Sequence, residues 1–262
     1  MRELLALAVD TAREAGALVV RRRADVPVEV AATKSSPTDV VTASDTAAER
    51  LIHERIGGAR PDDGFLGEEG GSTAGNSRVR WVVDPIDGTV NYLYGIPAYA
   101  VSIAAEVDGE VAAGVVHNPV SGETWTALAG EGAWLDDRPV RVGDRTDPAY
   151  ALVATGFAYD VGRRTEQARQ VARLLPQVRD IRRLGAASLD LCAVATGRVD
   201  AYVEQGLKPW DLAAGSLVAR EAGARVGGLH GAAAGERLVV AANPRLWDRL
   251  HGLLHEAGFG TA

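Results

Sequence analysis

Between Trp81 and Asn91 the chain reads WVVDPIDGTVN, and no other stretch restricts the fold as much. Trp81, Val82 and Val83 form a short apolar run, the pattern of a strand buried in a core. An aspartate stands where that strand must end, and Pro85, with no N–H to offer a neighbouring strand, is expected to close the sheet pairing there. Asp87 follows Asp84 by three residues, so the two carboxylates lie within about 10 Å along the chain, and closer if Pro85 and Ile86 turn. Both can face one small volume. Gly88 admits backbone conformations that other residues resist, and Thr89 is suited to begin a helix through Val90, Asn91 and Tyr92. The free N–H groups of such a start suit an anion. Carboxylate oxygens beside them suggest divalent metal ions, magnesium first, holding a phosphate. Taken singly, Asp-Pro and Asp-Gly are ordinary turn signals with solvated aspartates, but the whole string is far more specific.

The 262 residues suffice for one large domain or two small ones, and 47% hydrophobic residues can bury a substantial core. No stretch reaches the roughly 18 uninterrupted apolar residues of a membrane span. The opening MRELLALAVDTAREAG carries charges throughout, unlike a secretory leader, so a cytoplasmic location is expected. The single cysteine, Cys192, lies in an apolar helical pattern and reads as core, in keeping with a reducing compartment. A net charge of -7 disfavours direct nucleic-acid binding and is compatible with a site that concentrates cations.

Residues 2–23 place Leu4, Leu5, Ala8, Ala12, Ala15, Val19 and Val20 at helical spacing, with Arg21 to Arg23 as a solvated helix end. In KSSPTDVVTASD, residues 34–45, the Ser-Ser-Pro-Thr core reads as a loop with Lys34 in solvent at its start, and Thr42 with Asp45 forms a capping box before a helix carrying Leu51, Ile52 and Ile56. GFLGEEGGSTAG, residues 64–75, reads by itself as an acidic surface loop. Residues 99–107 and 111–117 are β-rich and separated by Asp108-Gly109, a strong hairpin signal. Further strands are expected at 123–128, 138–142 and 151–155, and a helix at 163–175 closed by Pro176. Then come a helix at 187–196, a strand at 201–204 and a helix at 212–222 ended by Gly223, with Asp211 as its N-cap. A strand at 238–242 and a helix at 244–254 close the chain. His251 and His255 share the i, i+4 spacing of a zinc pair, but residue 252 is Gly where HExxH has its glutamate, and an exposed terminal helix is the preferred reading. Neither GxxxxGK[ST] nor a GxGxxG after a strand occurs.

The string at 81–91 resembles the metal-binding signature of the inositol monophosphatase family of phosphatases, and the resemblance spans nearly the whole chain in four ordered motifs. It implies an α+β fold, a five-layer α-β-α-β-α sandwich forming a single domain over 1–262 and commonly assembled as a homodimer. It implies a lithium-sensitive, Mg2+-dependent hydrolysis of inositol monophosphate, with two or three magnesium ions. Glu68, in a GEE element 16 residues before Asp84, matches a ligand and a member of the catalytic set, whereas Glu69 does not. One magnesium would be held by Glu68, Asp84 and the carbonyl of Ile86, a second by Asp84, Asp87 and Asp211, and a third, weaker ion near Glu68. Thr89, helped by Asp45, would orient or deprotonate the attacking water, while the N–H groups of Gly88 and Thr89 hold the phosphate. Residues 34–45 match a mobile loop that approaches the metals. Glu204 matches a residue contacting the sugar alcohol, and Gly185, Ala186 and Ala187 match a turn lining the same pocket, which Asp87 and Asp211 also border. Ala186 stands where some relatives carry a hydroxyl residue. The same chemistry on histidinol phosphate, fructose 1,6-bisphosphate or 3'-phosphoadenosine 5'-phosphate is the alternative. A different class of reading is a regulatory protein that binds the transcription machinery, as some bacterial relatives do.

Overall fold

The structure, a computed structural model, describes residues 1–25 and 28–260; residues 26, 27, 261 and 262 of the expected 1–262 domain lie outside the described residues. Helices α1 (Arg2–Asp25) and α2 (Ala43–Ala59) make the first layer, and the short strands β1 (Val30–Thr33) and β2 (Val40–Thr42) pair antiparallel between them in sequence. The second layer is a sheet of β3 (Gly64–Gly67), β4 (Gly71–Thr73), β5 (Val79–Asp87), β6 (Ala100–Val107), β7 (Glu110–His117), β8 (Thr124–Leu128), β9 (Gly132–Leu135) and β10 (Arg138–Pro139). Its order is β10-β9-β8-β7-β6-β5-β3-β4. A second sheet holds β11 (Leu152–Thr155), β12 (Asp180–Arg182), β13 (Ala201–Glu204), β14 (Arg225–Gly227) and β15 (Val239–Ala242), in the order β12-β11-β13-β15-β14. The remaining helices are α3 (Thr89–Tyr94), α4 (Val161–Leu174), α5 (Ala187–Ala195), α6 (Pro209–Glu221) and α7 (Pro244–Ala257).

Alternation along the strands explains the layers. Trp81 and Val83 of β5 turn to the α1/α2 side, where Leu4, Ala8, Ala12, Ala15, Ile52 and Ile56 supply the facing stripe. Val82 points the other way, into a cluster with Leu189, Cys192, Ala213, Ala214 and Leu217 of α5 and α6. Those two helices bury their far face on Ala154, Tyr202, Val239 and Ala241 of the second sheet. The outer face of that sheet, with Val153, Val203 and Val240, is covered by Leu174 of α4 and Leu246, Leu250 and Leu254 of α7. The result is the expected α-β-α-β-α sandwich. Its central helices are buried on both faces, α5 along its whole length, because a sheet covers each side. Among the described residues no helix is long and apolar enough to cross a membrane.

Several local expectations are corrected. Pro85 does not end the sheet pairing: β5 runs on to Asp87, which pairs with Ala100 after an irregularity beyond Asp84, so the proline is absorbed where the ladder is already broken. The acidic segment at 64–75 is a β3–β4 hairpin, with β3 parallel to β5. The strand expected at 138–142 shrinks to Arg138–Pro139, and β9 precedes it. Arg22 and Arg23 are not a solvated end: Arg22 donates to Ser44 Oγ, and Arg23 donates to the Tyr92 carbonyl while lying over the Tyr92 ring. The Asp108-Gly109 hairpin holds, with φ of 54° and 86°, the positive pair a tight two-residue turn needs. His251 stacks on Trp247 with ring centroids 4.0 Å apart, and its ring nitrogens each lie 3.0 Å from a carbonyl, of Trp247 and of Gly228.

Asp190, on α5 between the two sheets, is buried and its Oδ1 has no hydrogen-bond partner. Burial, with Glu204 and Asp87 nearby, pushes its pKa well above the ordinary carboxylate value. A carboxyl raised by folding stabilises fully below the unfolded value near about pH 4 and loses that contribution as pH rises through the folded value. Asp190→Asn, which cannot ionise, should therefore flatten the fall of stability with pH by up to about 1.4 kcal/mol per unit above pH 4. Chemical denaturation of parent and variant from pH 5 to pH 8 checks this; parallel curves refute it.

Candidate active site

The site is built where β5 breaks off. Asp84 still pairs with Ser102 of β6, and its Oδ1 accepts the N–H of Ile86 at 3.0 Å, a local turn that swings Asp87 back toward it. Gly88 follows in the left-handed region with φ 94°, where a Cβ would also come 3.0 Å from the Ala98 carbonyl and 3.1 Å from that of Gly185. The chain then enters α3 at Thr89, as expected. Parallel pairing brings the end of β3 alongside β5, and the Glu68 N–H donates to the Val83 carbonyl at 3.2 Å. Glu68 thus stands beside Asp84, within hydrogen-bonding reach of its carboxyl group.

Asp211 arrives from α6. It is not the N-cap; that position is Lys208, and Asp211 is the third helical residue, its Oδ2 accepting the Lys208 N–H at 2.6 Å. This reach-back leaves Asp84, Asp87 and Asp211 with carboxylate oxygens all within 4.8 Å of one another. Burial and then mutual repulsion, with Glu68, Asp87 and Asp211, raise Asp84 well above its usual pKa. Burial likewise raises Asp87 to about 6 even though Ala187 N, Ser188 N and Ser188 Oγ all donate to it. Asp211 is raised well above its usual value by burial and by Asp87.

Asp45 fulfils two roles with two oxygens. Its Oδ2 accepts the N–H of Thr42 at 2.8 Å in the expected capping box, while its Oδ1 accepts the Thr89 hydroxyl at 3.0 Å. The same hydroxyl lies 3.1 Å from the Ile86 carbonyl. Glu204, at the end of β13, accepts the Tyr202 hydroxyl at 2.7 Å and is raised to about 7, chiefly by burial. Glu68, Asp84, Ile86, Asp87, Gly88, Thr89, Gly185, Ala186, Ala187, Glu204 and Asp211 all line one cavity of about 550 Å³; Asp45 reaches it only through Thr89. The first residues of α3, α5 and α6 border that cavity, so three helix N-termini converge on the carboxylates and on whatever anion enters.

Sequence reading missed several participants. Ser188 and its N–H hold Asp87 from 101 residues away, and Tyr202 holds Glu204. Lys34, read as solvated, places Nζ 2.6 Å from both Glu68 and Glu69. Tyr159 and Arg183 add an aromatic and a cationic wall. A Ser in the first turn of a helix was the one local signal among these. As a donor set, hard oxygens crowded in a buried cavity with raised pKa values suit a divalent cation of the magnesium type, which would offset the repulsion among them.

The fold and the residues match known proteins. The chain is 47% identical to an inositol-1-monophosphatase of Mycobacterium leprae, covering 95% of this chain and 92% of that one. It is 41% identical to a protein of Pasteurella multocida named Nus factor SuhB, covering 94% and 93%. Among solved structures, the extragenic suppressor protein suhB of Bartonella henselae superposes with a TM-score of 0.90 at 38% identity, over 96% of this chain and 98% of that one. The model of the inositol monophosphatase family matches residues 1–258. The chain belongs to the inositol monophosphatase family of phosphatases.

Proposed function

We propose that the protein hydrolyses inositol monophosphate to inositol and phosphate with magnesium, as a single domain that assembles as a homodimer in the cytoplasm. The observation that carries this is the group of three carboxylates within 4.8 Å, facing the same cavity as the Thr89 hydroxyl. Glu68, Asp84, the Ile86 carbonyl, Asp87 and Asp211 would hold two or three magnesium ions, which when bound neutralise phosphate charge and activate water. The Thr89 hydroxyl donates a hydrogen bond to Asp45 Oδ1, which leaves a lone pair on Oγ1 to accept a hydrogen bond from the attacking water and so aim it. The first turn of α3 leaves the N–H groups of Gly88 and Thr89 for the phosphate oxygens. Glu204 and the turn Gly185 to Ala187, which line the same cavity, would receive the ring hydroxyls. Glu204 is fixed by Tyr202, so its free lone pairs are presented in one orientation. The same chemistry on histidinol phosphate, fructose 1,6-bisphosphate or 3'-phosphoadenosine 5'-phosphate is the competing substrate reading. The name Nus factor SuhB of the Pasteurella multocida relative supports a second reading, a regulatory role through the transcription machinery. Retention of the acidic group favours catalysis.

Magnesium should be required and lithium inhibitory. Because Asp84, Asp87 and Asp211 are raised in the metal-free protein, magnesium binding should release protons and tighten as pH rises from 6 to 8. Calorimetry in buffers of different ionisation enthalpy reads both; full activity in excess chelator would refute the metal mechanism.

Thr89→Ala keeps the backbone N–H and removes only the hydroxyl. Turnover should fall by about 100-fold or more with magnesium and phosphate affinity retained. Asp45→Asn should act similarly, and the double variant should cost less than the sum. Near-normal single-turnover rates in Thr89→Ala would exclude its hydroxyl from water activation. Glu204→Ala should raise KM for inositol phosphate more than it lowers kcat and leave a simple aryl phosphate almost unaffected, as steady-state kinetics on the two esters will test.

A further inference from the structure

Glu49 lies one helical turn beyond Asp45 on α2 and is buried, at 6% exposure, beneath the β3–β4 turn. It is outside the set assigned to the site. Its Oε2 accepts the Glu69 N–H at 2.8 Å, and the Gly70 N–H donates to the same carboxylate. These are consecutive N–H groups of the turn that Glu68 begins. The two glycines that flank Glu68 and Glu69 make room for it: a Cβ on Gly70 would stand 2.6 Å from Glu49 Oε1, and one on Gly67 would stand 2.6 Å from Glu49 Cδ. From the opposite side Lys34 Nζ grips the Glu68 and Glu69 carboxylates. With Glu68 N pinned to the Val83 carbonyl, the turn is held at its start by β5, at its apex by Glu49 and at its side chains by Lys34.

We propose that Glu49 is a positioning residue for the magnesium site: by fixing the N–H groups of Glu69 and Gly70 it sets the backbone from which Glu68 is aimed at Asp84. The inference rests on the metal reading given above. A buried carboxylate that merely filled space would not require two glycines around it, and burial of a charge is costly unless such N–H groups receive it. The glycines in GEEGG therefore have a physical reason that turn chemistry alone does not give: they admit a carboxylate from another element. Because α2 also carries Asp45, one helix sets both the hydroxyl that faces water and the acid that faces metal.

The test uses the whole chain and magnesium chloride alone as the probe. Glu49→Ala should weaken magnesium binding, read by calorimetry, by about 10- to 100-fold, the scale typical of losing a group that orients a metal ligand. Hydrogen exchange at Glu69 and Gly70 in the metal-free protein should speed up, and turnover should recover at saturating magnesium. Glu49→Gln, which keeps one acceptor oxygen, should fall between. Gly70→Ala provides an independent route: Gly70 does not have a positive φ, so its added Cβ acts by displacing the Glu49 carboxylate, and the same magnesium defect is expected even if Glu49→Ala folds poorly. Unchanged magnesium affinity in folded Glu49→Ala or in Gly70→Ala, with only a lower melting temperature, would overturn the positioning role while leaving the metal reading intact. Absence of magnesium binding in the parent chain would overturn both.

Discussion

Like charges forced together in a low-dielectric cavity are the constraint on which this structure turns. Asp84, Asp87 and Asp211 are held close enough to repel, and Glu68 stands beside them. The protein offsets part of that cost by giving the aspartates backbone N–H groups and Glu68 the Lys34 ammonium. Asp84 accepts from Ile86, Asp87 from Ala187 and Ser188, Asp211 from Lys208 and Asp45 from Thr42. Each acid is thereby both a site residue and the local fastener of a turn or helix start. This arrangement leaves carboxylate oxygens fixed in space and still deficient in positive charge, the condition a hard cation relieves.

The layers explain why these fasteners can meet. The helices α5 and α6 are sandwiched between two sheets, and β5 delivers its acids on the side of the first sheet that faces them. The starts of α3, α5 and α6 come from separate parts of the chain, yet all border one cavity. Their dipoles favour negative charge at that point, so the fold lowers the potential energy of the carboxylates and of an incoming phosphate together. At the end of β13 the same cavity is bordered by Glu204, raised by burial to a pKa of about 7 and oriented by Tyr202.

Much of this was legible from residue order because the relevant interactions are short in sequence. The period of Leu4, Ala8, Ala12 and Ala15 marks α1, the Asp108-Gly109 pair marks its hairpin, and Thr42 with Asp45 marks a capping box that is present. The string from Trp81 to Thr89 states a strand, a turn and a helix start in nine residues, and local sterics hold it there. What local rules misjudged were cases with a tertiary override. Pro85 stays within a strand because the ladder is already irregular, and Asp211 moves to the third helical position because Lys208 takes the cap.

Sequence by itself therefore determined most of the elements and the Asp84/Asp87 pair with the chemistry such acids suit, since these follow from side-chain type and from spacings of three or four residues, while Glu68 and Asp211 were reached through the family resemblance. Only the tertiary structure decided which acids share a cavity, that Ser188 and the start of α5 receive Asp87, that Lys34 meets Glu68 and Glu69, and that Glu49 holds the turn between them. Those contacts join residues 20 to 101 positions apart. No periodicity encodes them, because they arise from where whole layers pack, and a side chain's partner across a layer is set by the apolar surface that both elements bury.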